Sequence, residues 1–143
     1  MGERFPPTSA LVANPRSLVG TWQLDRQLLD RRTGATGCFH GELSIAPVSE
    51  ALAWSESGEL HWSGHTSPAY RELLLRPGDD GWWMHFADGR RFHPWRLDEP
   101  VTHPCGRDSY TGLITATPDR LRIVWRVTGP AKDQEIHTRL RRT

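Results

Sequence analysis

The sequence predicts an all-β protein, a single antiparallel β-barrel of about ten strands with a short helical turn near residues 14–18. Apolar and polar residues alternate in short runs that turn-forming residues separate, and no long run has the 3.6-residue spacing of an amphipathic helix. The dipeptide Asp88-Gly89 stands between two such runs, which is typical of a two-residue β-hairpin. A β-sandwich is the alternative arrangement of the same strands.

The first strand follows a turn-prone segment at residues 14–17 and is predicted over residues 18–30. Trp22, Leu24 and Arg26 share one face of this strand, because side chains alternate between the two faces of a sheet. The run therefore begins a sheet with one apolar face, and Arg26 lies on that face.

The next strands are also read from period-2 runs and the turns between them. Phe39, Leu43 and Ile45 share one face of the second strand, and the dipeptide Ser57-Gly58 is predicted to turn the chain between two short strands. Residues 76–81 are predicted to form a loop. The predicted strands before this loop are 38–47, 51–56, 59–64 and 69–75.

The hairpin at Asp88-Gly89 predicts a register for the strands at residues 82–87 and 90–95. We expect the face that is richer in large apolar groups to point into the barrel. The predicted inward residues are Trp82, Met84, Phe86, Arg91, His93 and Trp95. The predicted outward residues are Trp83, His85, Ala87, Arg90, Phe92 and Pro94.

The last third of the chain contains a connection and three strands. Residues 97–107 are polar and contain proline, and they are predicted to be the connection. The predicted strands are 108–116, 121–128 and 134–142. Residues 1–13 are expected to form a flexible tail, which leaves one barrel domain over residues 14–143.

Composition excludes some classes of function. The 143 residues carry 18 Lys and Arg against 17 Asp and Glu, a formal charge of +1, so no overall field favours nucleic acid or an anionic membrane. No window approaches the apolar length of a membrane span, and the first residues lack the apolar segment of a secretion signal. The protein is expected to be cytoplasmic. Cys38 and Cys105 could pair in principle, but in that compartment both thiols are expected to be reduced.

Alternation places several polar side chains inside the predicted barrel. The predicted interior polar residues are Arg26, Arg71, Arg91, His93, Asp108 and Tyr110. A buried guanidinium cannot lose its proton, so these arginines need internal carboxylate partners, such as Asp108, or an anionic ligand. In the alternative arrangement, Arg26 and Arg71 lie near the barrel mouth with solvated heads and buried stems.

Some of the same residues are types that bind zinc or act as nucleophiles. His93, His103, Cys105 and Asp108 are potential zinc ligands, but their spacing matches no standard zinc pattern, and we predict no metal and no cofactor. Haem bound by His93 or His40 is a further alternative. A Cys-His nucleophilic pair at Cys105 has no visible orienting group.

A series of short motifs gives the chain a family resemblance. The motifs are Gly20-Thr21-Trp22, Asp30-Arg31-Arg32-Thr33-Gly34, Asp88-Gly89-Arg90-Arg91-Phe92-His93, His103-Pro104-Cys105, Asp108-Ser109-Tyr110 and Trp125-Arg126-Val127-Thr128-Gly129-Pro130-Ala131-Lys132-Asp133. Together they resemble domain-of-unknown-function family 6314, a mostly bacterial group, from about residue 18 to residue 142. This resemblance supports the fold boundaries and implies no chemistry.

The Gly-x-Trp at Gly20 to Trp22 also resembles the entry signature of calycin-type barrels, the lipocalin-like architecture. In that architecture the indole plugs the closed end, and an arginine near the end of the chain lies across it. The resemblance implies that Trp22 is the plug and that Arg139 or Arg141 covers it, a cation-π contact of about 0.5–2 kcal/mol.

The function predicted from these features is binding of a small, partly apolar molecule that carries an acidic group. Trp54 and Trp62 would add to the apolar wall, and His93 and Tyr110 would orient the molecule. The predicted ligand-binding residues are Arg26, Arg71, Arg91, His93, Tyr110, Trp82, Trp95 and Trp125.

Two other functions stay open at this point. The first is an enzyme of the same fold that uses His93 with Asp108 as orienter and Tyr110 as proton donor for general acid-base chemistry. The second is a non-catalytic scaffold, a homodimer formed through an exposed aromatic face at Trp83 and Phe92.

Overall fold

The fold is described from a computed structural model over residues 14–143, and the predicted tail at residues 1–13 lies outside the described residues. A short 3₁₀ turn, Pro15–Leu18, precedes the first strand, as predicted. The ten strands in chain order are β1 (Gly20–Asp30), β2 (Thr36–Val48), β3 (Ala51–Trp62), β4 (His65–Gly78), β5 (Gly81–Phe86), β6 (Arg91–Pro94), β7 (Pro100–Cys105), β8 (Asp108–Thr117), β9 (Arg120–Thr128) and β10 (Asp133–Arg142).

All ten strands form one antiparallel sheet in the order β6-β5-β4-β3-β2-β1-β10-β9-β8-β7. Strands β6 and β7 are its two edges, and they approach each other through side chains, with the rings of Phe92 and His103 centred 5.2 Å apart. The sheet is therefore a nearly closed barrel, which confirms the predicted fold class.

Three predicted element assignments are wrong, although the number of strands is right. Residues 76–78 of the predicted loop continue β4 and pair with β5, because only residues 79 and 80 are needed to turn the chain. Residues Ser57 and Gly58 lie in the middle of β3 instead of forming a turn. Gly58 pairs with Gly41 of β2, and a Cβ atom on either glycine would clash with the opposite backbone. Gly58 thus serves a close approach of two strands, a role that sequence alone does not distinguish from a turn.

The third assignment concerns residues 97–107, which were predicted to be a connection. They contain β7, which pairs with β8 from Pro100 opposite Leu113 to Cys105 opposite Asp108. Its two prolines are tolerated because β7 is an edge strand, where a residue without an N–H removes no ladder hydrogen bond on the open side.

Trp22 packs inside the barrel next to the 3₁₀ turn, and its role as the plug of a closed end stays a prediction. Its side chain is fully buried, and its indole Nε1 donates a hydrogen bond to the Leu18 carbonyl oxygen at 2.9 Å. The guanidinium over the ring belongs to Arg142, 4.3 Å from the ring centroid, so the prediction of Arg139 or Arg141 is wrong. Arg142 is the register partner of Trp22 on β10 and shares its face, whereas residues 139 and 141 point outward.

Two inward glycines make room for tryptophan rings. Gly37 is the register partner of Trp62, and Gly112 is that of Trp125. A Cβ atom on either glycine would collide with the ring of its partner. These pairs let large indoles lie flat against the inner wall without blocking the barrel.

The thiols of Cys38 and Cys105 are both free. Within residues 14–143, no helix has the length and apolar character that crossing a membrane requires.

Candidate functional site

The polar centre of the barrel is a carboxylate held between two arginines. Glu56 of β3 is 3% exposed, and Arg26 of β1 binds its two oxygens through both Nη atoms at 3.0 Å each. Arg71 of β4 donates from Nη2 to Oε2 at 3.2 Å, and Trp54 donates from its indole nitrogen to the same oxygen at 3.0 Å. The Glu56 carboxylate thereby accepts four hydrogen bonds.

Strand register explains why these groups meet. Glu56 and Arg71 are direct cross-strand partners on the inward face of β3 and β4. Arg26 reaches Glu56 across the intervening strand β2, with its guanidinium 5.5 Å from the ring centroid of Phe39. Its Nε also donates to Thr138 Oγ1 of β10 at 2.8 Å. The Arg26 guanidinium is thus held by Thr138 on one side and Glu56 on the other, and all three of its nitrogens donate hydrogen bonds within the protein.

The charges in this cluster do not balance. Burial alone would raise the pKa of Glu56, but the charges of Arg71 and Arg26 and the hydrogen bonds to the carboxylate lower it to about 2. Glu56 is therefore ionised at neutral pH and carries one negative charge against two guanidiniums. The Arg71 side chain is 47% exposed and uses one nitrogen on Glu56, so most of its donors are available.

A cavity of about 240 Å³ lies next to this cluster. Its wall combines the two arginines and a hydroxyl with apolar and aromatic side chains. The lining residues are Arg26, Leu28, Arg71, Phe92, Tyr110, Ile123, Trp125, Ile136 and Thr138.

A second cavity, of about 210 Å³, adjoins the first through the side chains of Leu28 and Ile136, which border both. Leu29, Leu60 and Trp62 are its other large apolar walls. Asp30, Gln134 and Glu135 also line it, so the second cavity is mainly apolar with a polar part, and it continues into the first cavity with its two arginines.

Aromatic rings build the wall opposite the ion cluster. Phe92 and Trp125 are stacked with centroids 5.4 Å apart, and Tyr110 meets Trp125 edge-on at 6.4 Å. His103 of β7 lies 5.7 Å from Tyr110. A flat apolar group could pack against this wall.

His93 is buried behind the aromatic wall and borders neither cavity directly. Its ring centre is 5.1 Å from that of Trp125, and its Nδ1 lies 2.8 Å from the Pro94 carbonyl oxygen. Because a carbonyl only accepts, Nδ1 carries the proton. Burial lowers the pKa of His93 to about 4, and the charges of Arg71 and His103 act in the same direction against the opposing effect of the Pro94 bond. His93 is therefore neutral at pH 7 and adds no charge to the site.

Lowering the pH from 6.5 to 4.5 is expected to reduce the free energy of unfolding. The pKa of His93 is lowered from 6.5 to about 4 in the folded protein. Between these two pH values His93 is protonated in the unfolded chain but largely neutral in the folded protein. The contribution of the neutral His93 to the free energy of unfolding is fully present above pH 6.5. It decreases as the pH falls and is lost by about pH 4, a total loss of about 3 kcal/mol. Urea unfolding at several pH values measures it.

The variant His93→Gln should lose most of this pH dependence, whereas His65→Gln, at an exposed position, should keep it. An unchanged pH profile in His93→Gln would contradict the buried neutral histidine.

The predicted interior position of Arg91 is wrong. Its side chain is 54% exposed, lies 3.6 Å from the Asp80 carboxylate and covers the outer ring of Trp83 at 4.3 Å. The register slips at this point, since Met84 pairs with His93 but His85 pairs with Arg91. Phe92 is the extra residue of this β-bulge, and it turns inward together with His93.

The predicted tryptophans divide into three groups. Trp125 lines the first cavity and Trp62 the second. Trp95 is buried against Trp54, with ring centroids 6.1 Å apart, and borders neither cavity. Trp82 lies under the Arg16 guanidinium at 5.0 Å, also away from both cavities.

The catalytic arrangement considered for His93, Asp108 and Tyr110 is not assembled within residues 14–143. His93 bonds to the Pro94 carbonyl, and the Asp108 carboxylate pairs with Lys132 at 3.3 Å. The same described residues contain no group of three His, Cys, Asp or Glu side chains that could hold a metal ion.

Sequence reasoning missed Glu56 and Phe92. Glu56 shares its face with the buried Leu52 and Trp54, so continuing the alternation of β3 would have placed it inside. The predicted turn at Ser57-Gly58 interrupted that alternation. No local signal marks the bulge that turns Phe92 inward.

Comparisons with known proteins agree with this barrel. Residues 18–142 match the model of a family described as a family of unknown function, DUF6314. Among solved structures, the chain is similar to an S-type phycobiliprotein lyase from Guillardia theta, with a TM-score of 0.67 and 14% sequence identity over 96% of this chain and 98% of that one. The TM-score shows that the two proteins share a fold, and at 14% identity the similarity shows nothing beyond the fold. No curated protein matches the chain.

Proposed function

Since the chain belongs to DUF6314, a family of unknown function, we propose a function from the site itself: the barrel binds a small, partly apolar molecule that carries one acidic group. The observation that carries this proposal is the excess of one positive charge in the cluster of Arg26, Glu56 and Arg71 at the edge of an apolar cavity. A single carboxylate, sulfonate or phosphate monoanion would neutralise it.

The two arginines have different roles in this proposal. Arg26 is committed to Glu56 and Thr138, and it holds the cluster in place. Arg71 has free donors and borders the cavity, so it is the residue that contacts the acidic group. The sequence-based suggestion that Arg91 holds the anion is abandoned, because Arg91 lies outside the barrel.

The apolar part of the molecule would lie against the wall formed by Phe92 and Trp125, with Tyr110 at its edge. A longer molecule would extend past Leu28 and Ile136 into the second cavity. The similar barrel of the phycobiliprotein lyase supports the fold, and the class of ligand is argued from these residues alone.

The two alternative functions have less support. The acid-base mechanism requires contacts among His93, Asp108 and Tyr110 that the described residues do not make. The scaffold requires an exposed aromatic face, yet Phe92 is 9% exposed and belongs to the interior. Formation of a homodimer stays a prediction.

A matched pair of probes tests the role of Arg71. The probes are 8-anilinonaphthalene-1-sulfonate, which is aromatic with one acidic group, and N-phenyl-1-naphthylamine, which has the same rings without the sulfonate. Arg71→Met is expected to weaken binding of the sulfonate about tenfold and to leave the neutral probe unchanged, since only the charged hydrogen bond is lost. Fluorescence titration measures both affinities.

Arg76→Met is the matched control, because Arg76 lies on the same strand but is exposed on the outer face. It should bind both probes like the parent. Equal affinities of Arg71→Met and the parent for the sulfonate would refute the anion site, and failure of the parent to bind either probe would refute the binding cavity.

A further inference from the structure

A group of arginines on the outside of the barrel has no part in the interior site. Arg139 and Arg141 of β10 lie next to Arg122 and Arg120 of β9, and all four are exposed. They line a surface depression of about 410 Å³, which we call the outer arginine groove. Its floor is the outer face of β1, β10, β9 and β8.

The arrangement of these arginines is unfavourable for the fold alone. Arg139 is directly opposite Arg122, and Arg141 is directly opposite Arg120, so like charges face each other across the two strands. Such pairs destabilise a sheet. Among residues 14–143, the side chains of Arg120, Arg122 and Arg139 form no hydrogen bond or ion pair, and Arg141 donates only to the neutral Gln23 side chain at 2.7 Å.

The acidic residues of the groove do not compensate this charge. Of the residues that the structure describes, Asp25 and Asp98 are the two carboxylates that line it, against four guanidiniums. Asp25 lies directly opposite Arg139 on the neighbouring strand β1, but its carboxylate is held by the His40 ring nitrogen at 2.7 Å. A net positive surface therefore remains on a protein whose overall formal charge is only +1.

The spacing of the arginine positions along β10 suits an extended acidic chain. Residues 139 and 141 are two positions apart on one strand, which is about 6.7 Å. Alternate side chains of an extended peptide repeat at the same distance and on the same face. Carboxylates at alternate positions would thus meet successive arginines, and guanidinium forks bind carboxylates well.

We propose that the outer arginine groove docks an extended acidic segment of a partner protein, with Asp or Glu at alternate positions. A single-stranded nucleic acid is the less favoured occupant, because binding of that kind uses aromatic side chains on which bases stack, and none of the described residues that line the groove is aromatic. This surface is separate from the interior site, so the proposal does not depend on the proposed ligand.

The test uses a fluorescein-labelled peptide with glutamate at alternate positions and serine between, and fluorescence anisotropy. The variant Arg122→Gln/Arg139→Gln is expected to weaken binding about tenfold. The control Arg32→Gln/Arg76→Gln removes the same charge from exposed arginines outside the groove and should change the affinity less than twofold. A peptide with the same glutamates in one block should bind more weakly than the alternating one.

Four results would overturn the proposal: no binding of the alternating peptide, an equal loss in the control variant, tighter binding of oligothymidine than of the peptide, or a lower melting temperature of the groove variant. Thermal unfolding checks that the groove variant is folded. Its melting temperature should equal or exceed that of the parent, because a like-charge pair has been removed. A lower melting temperature would show that these arginines stabilise the sheet, contrary to the proposal.

Discussion

Replacing Trp22 with alanine is expected to destabilise the barrel by about 3–5 kcal/mol, the usual range for deleting a core aromatic side chain. The substitution removes a fully buried indole, its hydrogen bond to Leu18 and the surface that Arg142 covers. Urea unfolding followed by far-ultraviolet circular dichroism measures the change without relying on tryptophan fluorescence.

Trp83→Ala is the matched control, because Trp83 is a half-buried indole on the outer face beneath Arg91. Its loss should cost about 1 kcal/mol or less. If Trp22→Ala cost no more than Trp83→Ala, Trp22 would not be the plug of a closed barrel end.

The second large effect is expected for Arg26→Met, which should destabilise the protein by about 3 kcal/mol. Removing one partner of a buried ion pair leaves the other charge uncompensated, which costs about 3–5 kcal/mol. We expect the lower end of that range because Arg71 still pairs with Glu56. The same urea unfolding experiment at pH 7 measures it.

The double variant Arg26→Met/Glu56→Gln should recover much of this loss, because the glutamine is neutral and its carbonyl can still accept from Trp54. No recovery in the double variant would show that Arg26 acts through packing and not through the Glu56 charge. Arg71→Met should cost less stability than Arg26→Met, since the Arg71 side chain is about half exposed.

The interior polar residues illustrate how far alternation carries a prediction. Arg26 and Arg71 were assigned to the inward face correctly because β1 and β4 are regular over the residues concerned. The Arg71 side chain is nevertheless 47% exposed, as the alternative with a solvated head predicted. Arg91 was placed inside wrongly because the bulge in β6 shifts the alternation by one residue. The reversal is confined to Arg91 and Phe92, because Phe92 is the extra residue of the bulge. Beyond it Met84 pairs with His93 as predicted, and His93 and Trp95 are buried.

The arginine that covers Trp22 could likewise not be predicted from alternation within one strand, because it depends on the pairing of β1 with β10. Trp22 at the start of the first strand indicated a plug, but the covering arginine depends on which residue of β10 lies opposite. Register between strands that are more than a hundred positions apart in the chain is decided by packing of the whole barrel. Arg142, and not its neighbours, occupies the position that shares a face with Trp22.

The amino-acid sequence by itself determined the all-β class, the antiparallel hairpins and the inward position of Trp22, Arg26 and Arg71, because these depend on turns and on alternation within one strand. Only the tertiary structure decided that Glu56 is the internal partner of both arginines and that Phe92 lines the cavity. Those contacts join strands that are distant in the chain, and they depend on register, on the bulge and on the close approach of Gly41 and Gly58. The excess positive charge of the Arg26, Glu56 and Arg71 cluster therefore depends on the folded barrel, which brings the three side chains together.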